Sequence, residues 1–195
     1  MIRIAITGGI GSGKSYVSDL LEKRGIPIYN ADNESKRLTA SDVNIREGLI
    51  ELLGEGVYQE GMLNKPLLAS YLFASPENAA KVNAIIHPRV KADFQQWADE
   101  YGHVEVVGLE SAILYESGFD DVVDAVVMVY APESLRLRRA MKRDQVSETQ
   151  VRARMAAQMD DEEKRRRADF VVMNDGSISI EKQLDVLVEH LKKGK

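Results

Sequence analysis

Short runs of consecutive apolar residues alternate along the chain with longer stretches in which apolar positions recur every three or four residues. The runs at 2–7, 26–30, 104–109, 124–130 and 169–174 predict strands. Most are apolar without alternation, as in Ala125-Val126-Val127-Met128-Val129, the pattern of strands covered on both faces. Val17, Leu20 and Leu21 share one face of a helix over 14–24 that Gly25 ends, and Ile180, Leu184, Leu187, Val188 and Leu191 mark a final amphipathic helix. Ser75-Pro76 opens a long helix toward Tyr101, which Pro88 is expected to kink near His87. Ser147-Glu148-Thr149-Gln150 is a capping box that starts another helix. Strands alternating with helices predict an α/β fold with five parallel strands wrapped by helices in three layers. The segment 33–101 holds no convincing buried strand. It predicts a helical insertion over the carboxyl edge of the sheet, read as a substrate-binding subdomain within a single 195-residue domain.

Composition narrows the chemistry. Apolar residues make up 44% and charged residues 29%, an ordinary globular balance. The absence of cysteine excludes a disulfide framework, a thiol nucleophile and zinc sites that need Cys. His87, His103 and His190 are too far apart in sequence to suggest an all-His metal site. A net charge of −5 argues against nucleic acid as a default partner. The longest apolar stretch, 125–132, falls well short of the ~18 residues that span a bilayer. No secretory h-region follows Met1, so a cytoplasmic protein without membrane attachment is expected. A monomer is expected, with a small homo-oligomer as the alternative. The charge is uneven: residues 136–167 hold 11 Lys and Arg against 6 Asp and Glu, a place to receive something anionic.

Gly8-Gly9-Ile10-Gly11-Ser12-Gly13-Lys14-Ser15 matches G-x-x-x-x-G-K-[ST], directly after a predicted strand and before a predicted helix. Glycines let the backbone curl until successive amides point at phosphate oxygens, and the helix start adds partial positive charge. Lys14 is placed to reach the β- and γ-phosphates, and the Ser15 hydroxyl to ligate Mg²⁺. A nucleoside triphosphate is therefore expected, in a P-loop NTPase fold. Asn64-Lys65-Pro66-Leu67 lacks the final Asp of a guanine-reading motif, and the length suits a small-molecule kinase.

Such a kinase needs a base at the carboxyl end of a strand beside the first one. Asp32 stands two residues beyond the run 26–30 and is the candidate; the competing reading is an N-cap of a helix over 33–38, and the two roles are compatible. At this point the residues resemble a known family, the dephospho-CoA kinases, over nearly the whole chain. The likeness is carried by the phosphate loop from Thr7 to Ser15, by Asp32 and by His87-Pro88. It continues through Leu114-Tyr115-Glu116-Ser117-Gly118, Arg139 with Arg143-Asp144, Ala157-Gln158 and Asn174-Asp175-Gly176. The resemblance implies a nucleotide-kinase-like fold with a helical CoA-binding insertion and a helical lid at about 139–168. It also implies transfer of the ATP γ-phosphoryl to the ribose 3′-hydroxyl of dephospho-CoA, with Mg²⁺. By the same likeness Asp32 is the catalytic base, and Gly9, Ile10, Gly11, Ser12, Gly13, Lys14, Ser15 and Tyr16 hold ATP with Arg139 and Arg143. Asp32, His87, Tyr115 and Glu116 hold the acceptor. The chain departs from the family at Asn30, where a second Asp is common, at Tyr16 in place of Thr, and at Ala112 in place of Pro.

Arg136, Arg139 and Arg143 share one helical face, and Arg139 is the candidate to neutralise the transferring phosphoryl group; the competing reading is a solvated basic face. The stretch from Asp160 to Arg167 reads as a self-paired, exposed lid helix, with the i,i+4 pairs Asp160/Lys164, Asp161/Arg165, Glu162/Arg166 and Glu163/Arg167. His87 serves either substrate or the backbone opened by Pro88. Glu110 serves either the magnesium shell or a structural ion pair, and Trp97 is assigned to helix packing. Shikimate and nucleoside monophosphate kinases are the competing enzymes; a nucleotide-binding switch without turnover is the competing class.

Overall fold

The computed structural model describes residues 1–193 of the chain, and it falls into two compact units, Ala31–Gln96 and the remainder. The larger unit is built on five parallel strands in the order β2-β5-β1-β6-β7. In chain order they are β1 (Ile2–Thr7), β2 (Ile28–Asn30), β5 (Val106–Glu110), β6 (Ala125–Tyr130) and β7 (Phe170–Met173). All five predicted strands are present, with bounds shifted by up to two residues. β2 is the shortest because Pro27, which has no amide to give the ladder, stands before it. β1 is central: Ile4 is level with Gly108 of β5 on one side and with Ala125 of β6 on the other.

From β1 the chain first builds outward on the β5–β2 side and later on the β6–β7 side. The crevice at the carboxyl end of β1 is thus the point where the winding reverses, the place where open α/β sheets take ligands. The helices of this unit are α1 (Lys14–Glu22), α6 (Glu133–Asp144), α7 (Glu148–Ala156), α8 (Asp161–Arg167) and α9 (Ile180–Lys193). One core joins Ile4, Ile6, Val127 and Val129 of the sheet to Val17 and Leu21 of α1 and Leu184 and Leu187 of α9. A second cluster, Leu137, Ala140 and Val151, fastens α6 to α7 and receives Ile10. At the free edge of the sheet the Gln183 carboxamide of α9 accepts from the Met173 amide at 2.8 Å and donates to the Met173 carbonyl at 2.9 Å. Trp97 packs edge-on to Tyr29 with ring centroids 5.4 Å apart, a packing role as expected.

The smaller unit contains α2 (Ala31–Ser41), α3 (Val43–Leu53), α4 (Lys65–Ala74) and α5 (Pro76–Glu100), the last crossing into the larger unit. Asp42 caps α3 by accepting from the Ile45 amide and pairs with Arg89 at 2.8 Å. Pro88 leaves α5 unbroken over 25 residues. One feature escaped the sequence reading: β3 (Tyr58–Gln59) and β4 (Met62–Leu63) form a small hairpin. Glu60 and Gly61 both take positive φ there, the backbone that a two-residue hairpin turn demands, and the Tyr58 hydroxyl donates to the Thr39 carbonyl at 2.6 Å.

Candidate active site

The loop between β1 and α1 occupies the crevice where the winding reverses. Gly13 takes φ 96°, and a Cβ there would collide with Asn174 Nδ2. Gly9 is glycine for a different reason, since a Cβ would run into the Arg136 guanidinium and the Asp161 carboxylate. Gly13 gives α1 no side-chain cap and the first turn carries no acid, so this helix start is electropositive and suited to an anion. Lys14 Nζ donates to the Gly8 carbonyl at 2.9 Å and to that of Gly9 at 3.4 Å, so its ammonium lies over the loop. Ser15 Oγ donates to Glu110 Oε1 at 2.9 Å, and Glu110 is buried at the tip of β5. Glu110 therefore belongs to the loop's own corner, where it accepts the Ser15 hydroxyl. The donors gathered there are hard oxygens, the set that Mg²⁺ prefers. Among the described residues no cluster of His, Cys, Asp or Glu forms a metal cage.

Three further side chains reach the loop. Asn174, just beyond β7, donates from Nδ2 to the Ser12 carbonyl at 2.7 Å and accepts Arg139 at its own carbonyl at 3.0 Å. Arg139 is thus half-buried and linked to the loop through Asn174, not a solvated surface residue. Gln158 Oε1 accepts from the Ile10 amide at 3.1 Å. Arg136 is buried; its Nε donates to the Ala131 carbonyl and lies 3.1 Å from Asp161 Oδ2, an ion pair without a hydrogen bond of its own. Burial pushes the Asp161 carboxyl above the usual carboxylate range against the pull of Arg136.

Arg143 is not brought to the loop: it is largely exposed and forks onto Asp144 at 2.7 and 3.1 Å. Tyr16 is half-exposed, with its hydroxyl 3.3 Å from Glu181. Tyr115 lies under the Arg167 guanidinium, 3.9 Å from the ring centroid; its hydroxyl is buried without a hydrogen-bond partner, and burial pushes its pKa to about 12. Asp32 and His87 belong to the smaller unit. Asp32 is exposed in the first turn of α2, which begins one residue before it, so it is not the N-cap of a helix over 33–38. His87 is half-buried in α5, and burial reinforced by Lys91 lowers its pKa.

The self-paired reading of the Asp160–Arg167 stretch is corrected. Asp160 caps α8 through the Glu162 and Glu163 amides, and the ion pairs run i,i+3, Glu162 with Arg165 and Glu163 with Arg166. Asp161 turns inward to Arg136. Lys164 is fully buried, 2.7 Å from the Ala112 carbonyl and 3.0 Å from Glu116 Oε1, which also accepts the Met159 amide at 2.7 Å. A seven-residue helix of three acids followed by four bases gives no apolar stripe from which to read the buried face.

A family model for dephospho-CoA kinase (CoaE) matches residues 2–179. The chain belongs to the dephospho-CoA kinase family. A dephospho-CoA kinase from Bacteroides fragilis is 54% identical over 190 residues, covering 97% of this chain and 93% of that protein. One from Porphyromonas gingivalis is 46% identical over 81% of this chain and 78% of its own length. The crystal structure of TT1252 from Thermus thermophilus superposes with a TM-score of 0.81 at 36% identity, over 97% of both chains. A shikimate kinase from Acinetobacter baumannii, at 17% identity and TM-score 0.55 over 99% of this chain and 94% of its own, shares the fold alone. As a member of this family the protein is a kinase with a nucleotide-kinase-like α/β fold. Among the described residues no helix is long and apolar enough to cross a membrane.

Proposed function

We propose that this dephospho-CoA kinase family member transfers the γ-phosphoryl group of ATP to the ribose 3′-hydroxyl of dephospho-CoA, giving coenzyme A and ADP, the last step of coenzyme A synthesis. The observation that carries the reading is the loop corner itself: Lys14 over the loop crest, and Ser15 held by the buried Glu110, within a chain that matches the family over residues 2–179. The loop residues Gly9 to Tyr16 hold the phosphates of ATP, and Lys14 and Arg139 neutralise charge spreading over the transferring group. Arg143 serves the nucleotide from the lid. Mg²⁺ bound with ATP at Ser15 would polarise the phosphoryl oxygens. Asp32 takes the 3′-hydroxyl proton as the oxygen attacks phosphorus, and the leaving ADP keeps the bridging oxygen. His87, Tyr115 and Glu116 hold the acceptor together with the insertion 33–101, and the lid at about 139–168 excludes water.

Phosphorus NMR of the product formed from ATP, Mg²⁺ and dephospho-CoA tests the reading. A 3′-phosphate resonance that appears with dephospho-CoA, and with neither shikimate nor nucleoside monophosphates, is expected; phosphorylation of one of those acceptors instead would overturn it.

A further inference from the structure

Ala157-Gln158 carries no task in the transfer just described, yet Gln158 touches the phosphate loop directly. Ile10 is the crest of that loop, and each of its interacting parts is held from outside. Its amide donates to Gln158 Oε1 at 3.1 Å, its carbonyl accepts from Arg136 Nη1 at 3.4 Å, and its side chain packs against Leu137, Ala140 and Val151. Gln158 itself stands on a fastened turn between α7 and α8. Glu116 holds the next amide, that of Met159, at 2.7 Å, Asp161 pairs with Arg136, and Lys164 grips the Ala112 carbonyl. An amide has one hydrogen to give, so the Ile10 amide is withdrawn from the set that can face a phosphate.

We propose that Gln158 is a positioning residue for the phosphoryl donor: by drawing the Ile10 peptide outward it fixes the direction in which the following amides, from Gly11 onward, face. This rests on the assignment of the loop as the ATP site. The contrary arrangement is a plug, in which phosphate needs the Ile10 amide and Gln158 competes with it. The two differ in sign. A brace helps nucleotide bind, and its removal weakens binding; a plug hinders it, and its removal tightens binding.

The experiment is calorimetric titration of the full-length protein with the β,γ-imido analogue of ATP and Mg²⁺, for wild type, Gln158→Met and Gln158→Glu. Losing one neutral hydrogen bond predicts about 3–10-fold weaker binding for Gln158→Met. Gln158→Glu keeps an acceptor oxygen for the Ile10 amide and restores affinity to within about threefold of wild type. In steady-state assays Gln158→Met raises the KM for ATP and leaves that for dephospho-CoA unchanged, a split that general loosening of the fold would not produce. Amide hydrogen exchange by NMR gives a readout free of turnover: the Ile10 amide is protected in wild type and exchanges faster in Gln158→Met. Tighter analogue binding by Gln158→Met, or unchanged binding with the Ile10 amide still protected, overturns the proposal. Failure of wild type to bind the analogue overturns the ATP-site assignment and this inference together. Analogue binding without transfer to dephospho-CoA overturns only the acceptor reading.

Discussion

Replacing Lys164 by methionine keeps the length and apolar volume of the stem and deletes the ammonium. In the folded chain this strips the Ala112 carbonyl of a donor at 2.7 Å and Glu116 of a cation at 3.0 Å. Removing one partner of a buried pair costs about 3–5 kcal/mol, because the other is left desolvated. The Glu116 side chain retains 24% exposure, so water recovers part of its charge and the lower end, about 3 kcal/mol, applies. For a chain of this length each kcal/mol moves the melting temperature by about 2–4 °C, so a fall of about 6–12 °C is expected. Adding Glu116→Gln to Lys164→Met neutralises the abandoned carboxylate and recovers at least half of the loss, and the remaining arm of the cycle gives the coupling energy. Differential scanning calorimetry and urea unfolding with an unchanged m-value measure both. A fall below about 2 °C for Lys164→Met would refute the burial argument, since an exposed lysine contributes no more than a surface ion pair.

The remaining predictions concern the reaction and its pH dependence. Asp32→Asn lowers turnover by about 10²–10⁴ while calorimetry finds nucleotide affinity intact; near wild-type turnover removes Asp32 as the base. Tyr115→Phe deletes a buried hydroxyl that makes no hydrogen bond, so neutral-pH stability holds or rises by up to about 1 kcal/mol. Its phenol is raised from 10 to about 12, so the stability it lends is complete below pH 10 and is lost as pH climbs through 12; phenylalanine removes that alkaline loss, and identical alkaline unfolding curves would count against the burial. The His87 imidazole is held below its ordinary 6.5 by burial and by Lys91, so the fold prefers the neutral ring. Stability is therefore full above pH 6.5 and declines as pH drops through the lowered value, and His87→Gln flattens that acid limb in pH-dependent melting.

What the sequence made legible was whatever repeats a local rule. Apolar runs located all five sheet strands, because a strand covered on both faces must be apolar throughout, and the loop motif located the crevice. The strand order places that motif at the winding reversal, which no single segment encodes. The hairpin at Tyr58–Leu63 was missed because each strand is two residues long, too short for an alternation to register, although Glu60-Gly61 carried the turn signal. Lys164 and Asp161 were misjudged for another reason. Local pairing rules treat a charged helix as solvated, whereas here partners distant in the chain, Glu116, Ala112 and the Gly9 turn, bring one face inside. Asn174 and Gln158 were noticed only through the family likeness, since an amide side chain reaching a loop over 140 residues away leaves no periodic trace.

The carboxamide of Gln183 has a consequence for how the molecule behaves in a crowded solution. An outermost strand offers its unused main-chain groups to any extended peptide that drifts alongside, and this is how many β-rich proteins begin to aggregate. At Met173 both groups are already engaged by a side chain that imitates a neighbouring strand for one residue and cannot be extended into a second. The final helix thereby acts as a stopper at Met173 as well as a cover, closing that position of the edge to recruitment.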